Sequence, residues 1–196
     1  MGWNLGTLSA LNILENNGTS PLVRRTAEQP RLLPRMKTNF LQLTRKRRPG
    51  GTGVTQRDYL DFVVDGRPLS ERIGGDLISC LVWTTAGENA RAIRRLLLEE
   101  PADFGNERRS LYVCPQCGDL GCGAVSAVVK NIDNQIRWHV FGFENNYENI
   151  VRLDEYRDIG PFVFEKRNTK KLFEEPWKCC NRPNRWTSES KLKETS

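Results

Sequence analysis

The chain has very little histidine: His139 is the single one among its 196 residues. A Ser-His-Asp triad or a Cys-His pair would have to use this one side chain. Its neighbours Trp138 and Phe141 indicate that His139 lies in a packed strand rather than in a catalytic site. Long apolar runs are also missing, since no window reaches the ~20 apolar residues that span a bilayer. A phosphate-binding loop is not predicted either, because the glycines at 50–53 are not followed by Lys-Ser/Thr.

The first residues of the chain lack the features of an export signal. No basic region precedes their apolar positions, so no signal peptide is predicted and we expect a cytoplasmic protein. In that compartment, six cysteines indicate reduced thiols or metal ligands rather than a disulfide framework. Met36 offers an alternative start, which would make the preceding residues an upstream translation.

Positive charge is unevenly distributed along the chain. Residues 1–56 carry nine Lys/Arg and two Asp/Glu. Residues 57–176 carry sixteen Lys/Arg and twenty Asp/Glu, and residues 177–196 carry five Lys/Arg and two Asp/Glu. The middle is therefore mildly acidic, so a nucleic-acid partner is not favoured. The basic run at 45–48 has no interleaved aromatic residues to stack on bases, and we interpret it as a solvated linker.

Proline, glycine and charge predict one folded domain between two loose ends. We expect a disordered basic segment at 1–56, a single domain at 57–176 and a flexible tail at 177–196. The expected strands are 59–64 with a short return strand after the Asp65-Gly66 turn, 77–83, 111–113, 124–129, 136–143 and 161–164. A capping box at Thr85 and Glu88 begins the main helix, and a second helix covers 169–175. The class is α+β: an antiparallel sheet, made of a hairpin and a meander, packed against both helices.

The cysteine segment carries the clearest motif. Cys114 and Cys117 are separated by two residues and followed by Gly118, which is typical of a knuckle that brings two thiolates to one metal ion. Cys122 lies close enough in sequence to add a third sulfur. Structural zinc normally takes four ligands, and a second paired Cys or His motif at regular spacing is missing.

Three places in the chain could supply a fourth ligand. His139 is the favoured one, because its strand is expected beside the cysteine hairpin. Cys80 lies among apolar residues and is better explained as a small core side chain. Cys179 and Cys180 lie in the expected tail.

Three interpretations of the cysteines stay open. The first is a structural Zn²⁺ site formed by Cys114, Cys117, Cys122 and His139. The second is a metal-free hairpin whose thiols are reduced. The third is thiol redox chemistry. Redox-active cysteines commonly lie at a helix N-terminus, whereas a strand is expected to lead into Cys114, so this interpretation is not favoured.

Several segments resemble a family of small uncharacterised bacterial proteins. They are the Cys-Pro-Gln-Cys-Gly-Asp-Leu-Gly-Cys-Gly-Ala run at 114–124, the Phe-Glu-Asn-Asn-Tyr-Glu run at 143–148, the hairpin at 64–69 and the strand at 160–164. The resemblance covers residues 58–175. It implies an organisation without an assigned activity, and neither His139 nor the Cys179-Cys180 pair belongs to its pattern.

The amide-rich segment after the last meander strand is a candidate partner-binding surface. Asn145, Asn146, Tyr147 and Glu148 offer hydrogen bonds and contact area with little charge, but a turn whose asparagines stabilise the local backbone is the favoured explanation. We expect a non-enzymatic protein that binds another protein, of the immunity kind that neutralises a toxin, since an acidic domain steers toward a basic partner. The alternative is a zinc-binding or thiol-redox protein built on the knuckle.

Overall fold

The computed structural model describes residues 37–174. Within them, the elements are β1 (Leu41–Arg48), β2 (Arg57–Val64), β3 (Arg67–Pro68), α1 (Leu69–Ile73), β4 (Ile78–Ser79), α2 (Ala86–Leu96), β5 (Arg108–Val113), β6 (Ala124–Ile132), β7 (Gln135–Glu144), β8 (Phe162–Glu165) and α3 (Lys166–Glu174). Short 3-10 helices cover Leu120–Cys122 and Asp154–Tyr156. These antiparallel sheets and helices confirm the α+β class. No described helix has the length and apolarity to cross a membrane. The expected tail at 177–196 and the alternative start at Met36 lie outside the described residues.

The first sheet contains three antiparallel strands in the order β1-β2-β3. The expectation of disorder up to the start of β2 is wrong for β1, whose eight residues all pair with β2. Leu41 and Leu43 are buried and alternate with more exposed polar residues, which is the period of a strand with one face on the core. The predicted hairpin at Asp65-Gly66 is confirmed, since β3 returns along β2.

The basic run at the end of β1 lies opposite carboxylates of β2. Lys46 Nζ is 3.2 Å from the fully buried carboxylate of Asp61, and Arg47 Nε is 2.7 Å from Asp58. Asp61 also accepts a hydrogen bond of 2.6 Å from the Tyr112 hydroxyl. The linker interpretation is therefore wrong, because these positive charges have carboxylate partners on the neighbouring strand and fit a sheet.

The second sheet contains five strands in the order β4-β5-β6-β7-β8, and each strand pairs antiparallel with the next. The predicted meander is confirmed and extended at both sides. β4 is shorter than the expected strand at 77–83. The chain leaves extended conformation near Val82, whose φ of 72° is costly for a β-branched residue.

A buried arginine supports the irregular middle of this sheet. The β6–β7 register shifts between Ser126 and Val128, and Val140 on β7 has a positive φ of 52°. Arg108, 3% exposed, donates hydrogen bonds to Glu144 Oε1 at 2.6 Å and to the Val140 carbonyl at 2.7 Å. The guanidinium thus supplies hydrogen bonds inside the sheet where strand pairing is interrupted.

Both sheets contribute to one aromatic core. Phe62 of β2 packs edge-on against Trp138 of β7, with ring centroids 5.2 Å apart, and against Phe173 of α3 at 6.4 Å. The predicted start of α2 is confirmed, since Thr85 is its N-cap and Thr85 Oγ1 accepts a hydrogen bond of 3.3 Å from the Glu88 amide. α3 begins slightly earlier than expected, directly after β8. The first sheet, the meander and α3 therefore pack against each other.

Candidate metal centre

The cysteine segment connects β5 to β6 at one end of the strands of the second sheet. Val113, the last residue of β5, pairs with Ala124, the first residue of β6, so the ten residues between them form a closed loop. The Sγ atoms of Cys114, Cys117 and Cys122 all lie within 4.8 Å of one another. Four-coordinate zinc with Zn–S bonds of about 2.3 Å places its sulfur ligands about 3.8 Å apart. The three thiols thus have the spacing of ligands to one soft metal ion.

Backbone hydrogen bonds give the loop its turn. The Gly118 amide donates to the Cys114 carbonyl at 2.9 Å, with Gly118 in the left-handed region at a φ of 67°. The Asp119 amide donates to Cys117 Sγ at 3.4 Å. The Cys122 amide donates to the Asp119 carbonyl at 3.1 Å. These hydrogen bonds hold the turn that carries Cys117 and Cys122.

The thiols differ in acidity. Burial acts to raise the pKa of Cys114, but hydrogen bonds from the backbone amides of Cys117 and Gln116 and from the neighbouring thiols lower it below its ordinary value. The hydrogen bond and the charge of Cys117 raise the pKa of Cys122 to about 11. Cys114 is therefore the readiest of these two to lose its proton, and a bound cation would draw the proton from Cys122.

Three aromatic rings cover three glycines of the loop: Trp83 over Gly118, Tyr147 over Gly121 and Phe143 over Gly123. A Cβ at Gly123 would lie 2.1 Å from Phe143 Cζ, and a Cβ at Gly118 would lie 2.3 Å from the Trp83 ring. Both distances are far below van der Waals contact, so only glycine fits under these rings. The glycines after Cys117 and Cys122 therefore serve close packing as well as the turn.

Arg57 joins the cysteine loop to the first sheet. Its guanidinium donates to the carbonyls of Pro115 at 2.8 Å and Gln116 at 3.0 Å, and it stacks over the Trp83 ring at 5.2 Å. The Gln116 side chain reaches the hairpin between β1 and β2, where it accepts a hydrogen bond of 3.3 Å from the Thr55 amide. This role of Arg57 is not predicted from the sequence, because nothing in the local sequence pairs it with a segment some sixty residues away.

His139 lies away from the cysteines. It pairs with Val128 in the middle of β7, whereas the end of β7 near the loop is Glu144, opposite Ala124. Five residues of strand at ~3.3 Å each separate it from that end by about 17 Å. Among the described residues it does not belong to the ligand cluster, so the prediction of His139 as the fourth ligand is wrong. Burial, and then the charges of nearby Lys130 and other basic side chains, lower its pKa.

The remaining candidates for a fourth ligand have different outcomes. Cys80 is 8% exposed and belongs to the main apolar cluster, as expected of a core side chain, and burial raises its pKa far above the ordinary value. Cys179 and Cys180 lie outside the described residues. The structure thus brings together three of the four proposed metal ligands.

The candidate partner-binding segment lies beside the cysteine loop. Asn145 Oδ1 accepts hydrogen bonds from the amides of Tyr147 at 2.9 Å and Glu148 at 2.8 Å, so this asparagine stabilises a local turn. The Asn146 amide donates to the Leu120 carbonyl at 3.3 Å, inside the loop. Tyr147 is 80% exposed. The turn interpretation is confirmed, and the partner-binding role stays a prediction.

Comparison with known proteins gives no match to a family model, to a curated protein or to a solved structure. The resemblance to a bacterial family stays a prediction. The functional proposal therefore depends on the geometry of the cysteine loop and its surroundings.

Proposed function

We propose that this chain is a zinc-binding protein in which Cys114, Cys117 and Cys122 hold Zn²⁺ in a structural role. The observation that supports this most directly is the grouping of three Sγ atoms within 4.8 Å on a loop whose amide groups point at sulfur. Thiolates favour soft metals, and zinc is the common ion in tetrahedral sulfur sites. A fourth donor from outside the described cluster completes the coordination.

The charge around the loop suits three thiolates. Three negative sulfurs exceed the charge of Zn²⁺ by one, so a nearby cation lowers the cost of the site. A hydrogen bond to Asp76 raises the pKa of Arg48, and the charge of Cys114 adds to this rise. Arg57 holds two carbonyls of the same loop. Arg57 is thus the guanidinium in direct contact with the loop, whereas Arg48 is ion-paired with Asp76.

A structural role follows from what the loop connects. Through Arg57 and Gln116 it contacts the first sheet, and through Val113 and Ala124 it continues into the second. Zinc that fixes the loop therefore stabilises contacts to both sheets. Ligation contributes to folding free energy whenever the unfolded chain binds the ion less well.

Metal content and thermal melting test the proposal. The purified full chain should retain one equivalent of zinc. At free zinc about 1,000-fold above the dissociation constant, binding adds about 4 kcal/mol, which corresponds to roughly 8–16 °C in Tm. Chelator should remove that increment. A chain that takes up no zinc and melts identically with and without chelator would refute the proposal.

Two variants make this test specific. Cys114→Ser should lose metal and melt like chelated wild-type protein, with no further response to chelator. Cys80→Ala is the matched control, because this thiol lies in the apolar core away from the cluster. It should melt earlier yet keep its zinc and its chelator response.

A second candidate role, binding of a partner protein, is favoured by the exposed side chains beside the loop. Tyr147 is 80% and Ile150 61% exposed, and large exposed apolar and tyrosine side chains are frequent in protein interfaces. The immunity version of this role, neutralising a toxin, remains a prediction. Native mass spectrometry of protein isolated from its own host should detect a co-purified chain that a Tyr147→Ala variant loses. Equal recovery with that variant would contradict the assignment of this surface.

A further inference from the structure

Cys117 and Cys122 form a close, accessible pair within the proposed zinc site. Their Sγ atoms are 3.3 Å apart and both side chains are exposed, whereas Cys114 is partly buried. A disulfide requires about 2.05 Å between the sulfurs, so this pair needs to approach by about 1.3 Å. Its separation is already shorter than the ~3.8 Å expected between two zinc ligands.

The two cysteines lie on one short turn. Cys122 ends the 3-10 helix Leu120–Cys122, and its amide donates to the Asp119 carbonyl. Only four residues separate Cys117 from Cys122, so closing the pair is a local change within the β5–β6 loop.

We propose that this pair makes the zinc site redox-regulated: a hydroperoxide oxidises Cys117 and Cys122 to a disulfide, and the metal leaves. This inference rests on the proposed zinc-binding function. With two of its three described ligands consumed, the ion is left with Cys114 and any outside donor, and affinity drops because metal binding requires thiolates. Reduction of the disulfide restores the site.

The chemistry is a two-electron oxidation of sulfur. One thiolate attacks a peroxide oxygen, the O–O bond breaks, and the sulfur becomes a sulfenic acid while an alcohol or water leaves. The second thiolate attacks the sulfenic sulfur, an S–S bond forms, the S–O bond breaks and water leaves. Two electrons pass from the two sulfurs to the peroxide. Two protons from solvent convert the oxygen leaving groups to alcohol or water, and the loss of two thiolate charges balances the charge that leaves with Zn²⁺.

Proteolytic mapping of the full chain tests this pairing. Zinc content is measured first, then hydrogen peroxide is added, released zinc is followed with a colorimetric chelator, and remaining thiols are alkylated. Trypsin yields one peptide, residues 110–130, with all three cysteines, and cleavage before Asp119 separates Cys117 from Cys122. We expect the halves to stay joined with the alkyl label on Cys114. Zinc release and formation of the disulfide that joins the two halves should follow the same time course. Adding reductant and zinc should break the disulfide and restore the bound zinc.

Matched variants identify the pair. Cys114→Ser retains the two partners and should still form the disulfide, whereas Cys122→Ser should form none within this peptide. A Cys179→Ser, Cys180→Ser double variant removes the two cysteines outside the described residues and should still form the Cys117–Cys122 disulfide when peroxide is added.

The results separate this proposal from the one it rests on. Zinc release with sulfinic acids and separated halves would overturn the redox proposal, and so would an alkyl label on Cys117 in place of Cys114. A chain that holds no zinc before peroxide is added would overturn the zinc-binding function itself.

Discussion

Replacing Gly123 by alanine tests how tightly the aromatic rings hold the cysteine loop. Gly123 has a φ of 92° and lies against Phe143, whose Cζ would be 2.1 Å from the new Cβ. With a ψ of 155°, this backbone lies in a region essentially reserved for glycine, which costs an L-residue about 1–3 kcal/mol. Forcing a methyl group into packed space costs about 1–3 kcal/mol more. We therefore expect Gly123→Ala to lower the free energy of unfolding by about 2–6 kcal/mol.

Gly66→Ala is the matched control for the backbone. Gly66 has a φ of 80°, but a Cβ added there would meet no atom within 4 Å. The control should therefore cost only the ~1–2 kcal/mol of the backbone conformation. The difference between the two variants measures the steric contact with Phe143 together with the stricter backbone requirement of Gly123.

Urea unfolding of both variants, followed by tryptophan fluorescence, gives the two free energies. Because Gly123 directly follows Cys122, Gly123→Ala should also weaken zinc retention, whereas Gly66→Ala should leave it unchanged. Equal destabilisation by the two substitutions would show that Phe143 yields without cost. The explanation of this glycine by ring packing would then be wrong.

Two further predictions concern buried and titrating groups. Arg108→Met leaves Glu144 buried without its cation and should lower the free energy of unfolding, measured with urea, by about 3–5 kcal/mol. Adding Glu144→Gln to this variant should recover part of the loss. Losses that simply add in the double variant would contradict the pairing of Arg108 with Glu144. The pKa of His139 is lowered in the folded chain, so its stability contribution is complete above the unfolded pKa of about 6.5 and falls as the pH drops below it. His139→Gln should therefore lose less stability than wild type between pH 7.5 and pH 5.5, and parallel losses would contradict a lowered pKa of His139 in the folded chain.

Much of the second sheet could be predicted, because its signals are local. Apolar alternation marks β7, turn residues connect it to β6, and a capping box begins α2. β1 could not be predicted in the same way, since its basic end is typical of a linker and the carboxylates of Asp58 and Asp61 that neutralise it come from another strand. Charge in a segment indicates disorder only where no partner strand supplies the opposite charge.

The meeting of three thiols could be predicted from local sequence, because their short spacing and adjacent glycines allow a tight loop. What lies beside that loop depends on contacts between distant parts of the chain. The register of β7 on β6 sets His139 far along the strand and leaves Tyr147 against the loop, and the first sheet brings Arg57 to its carbonyls. Strand register and sheet packing depend on the whole core, so residues far apart in sequence meet at this loop without any local signal.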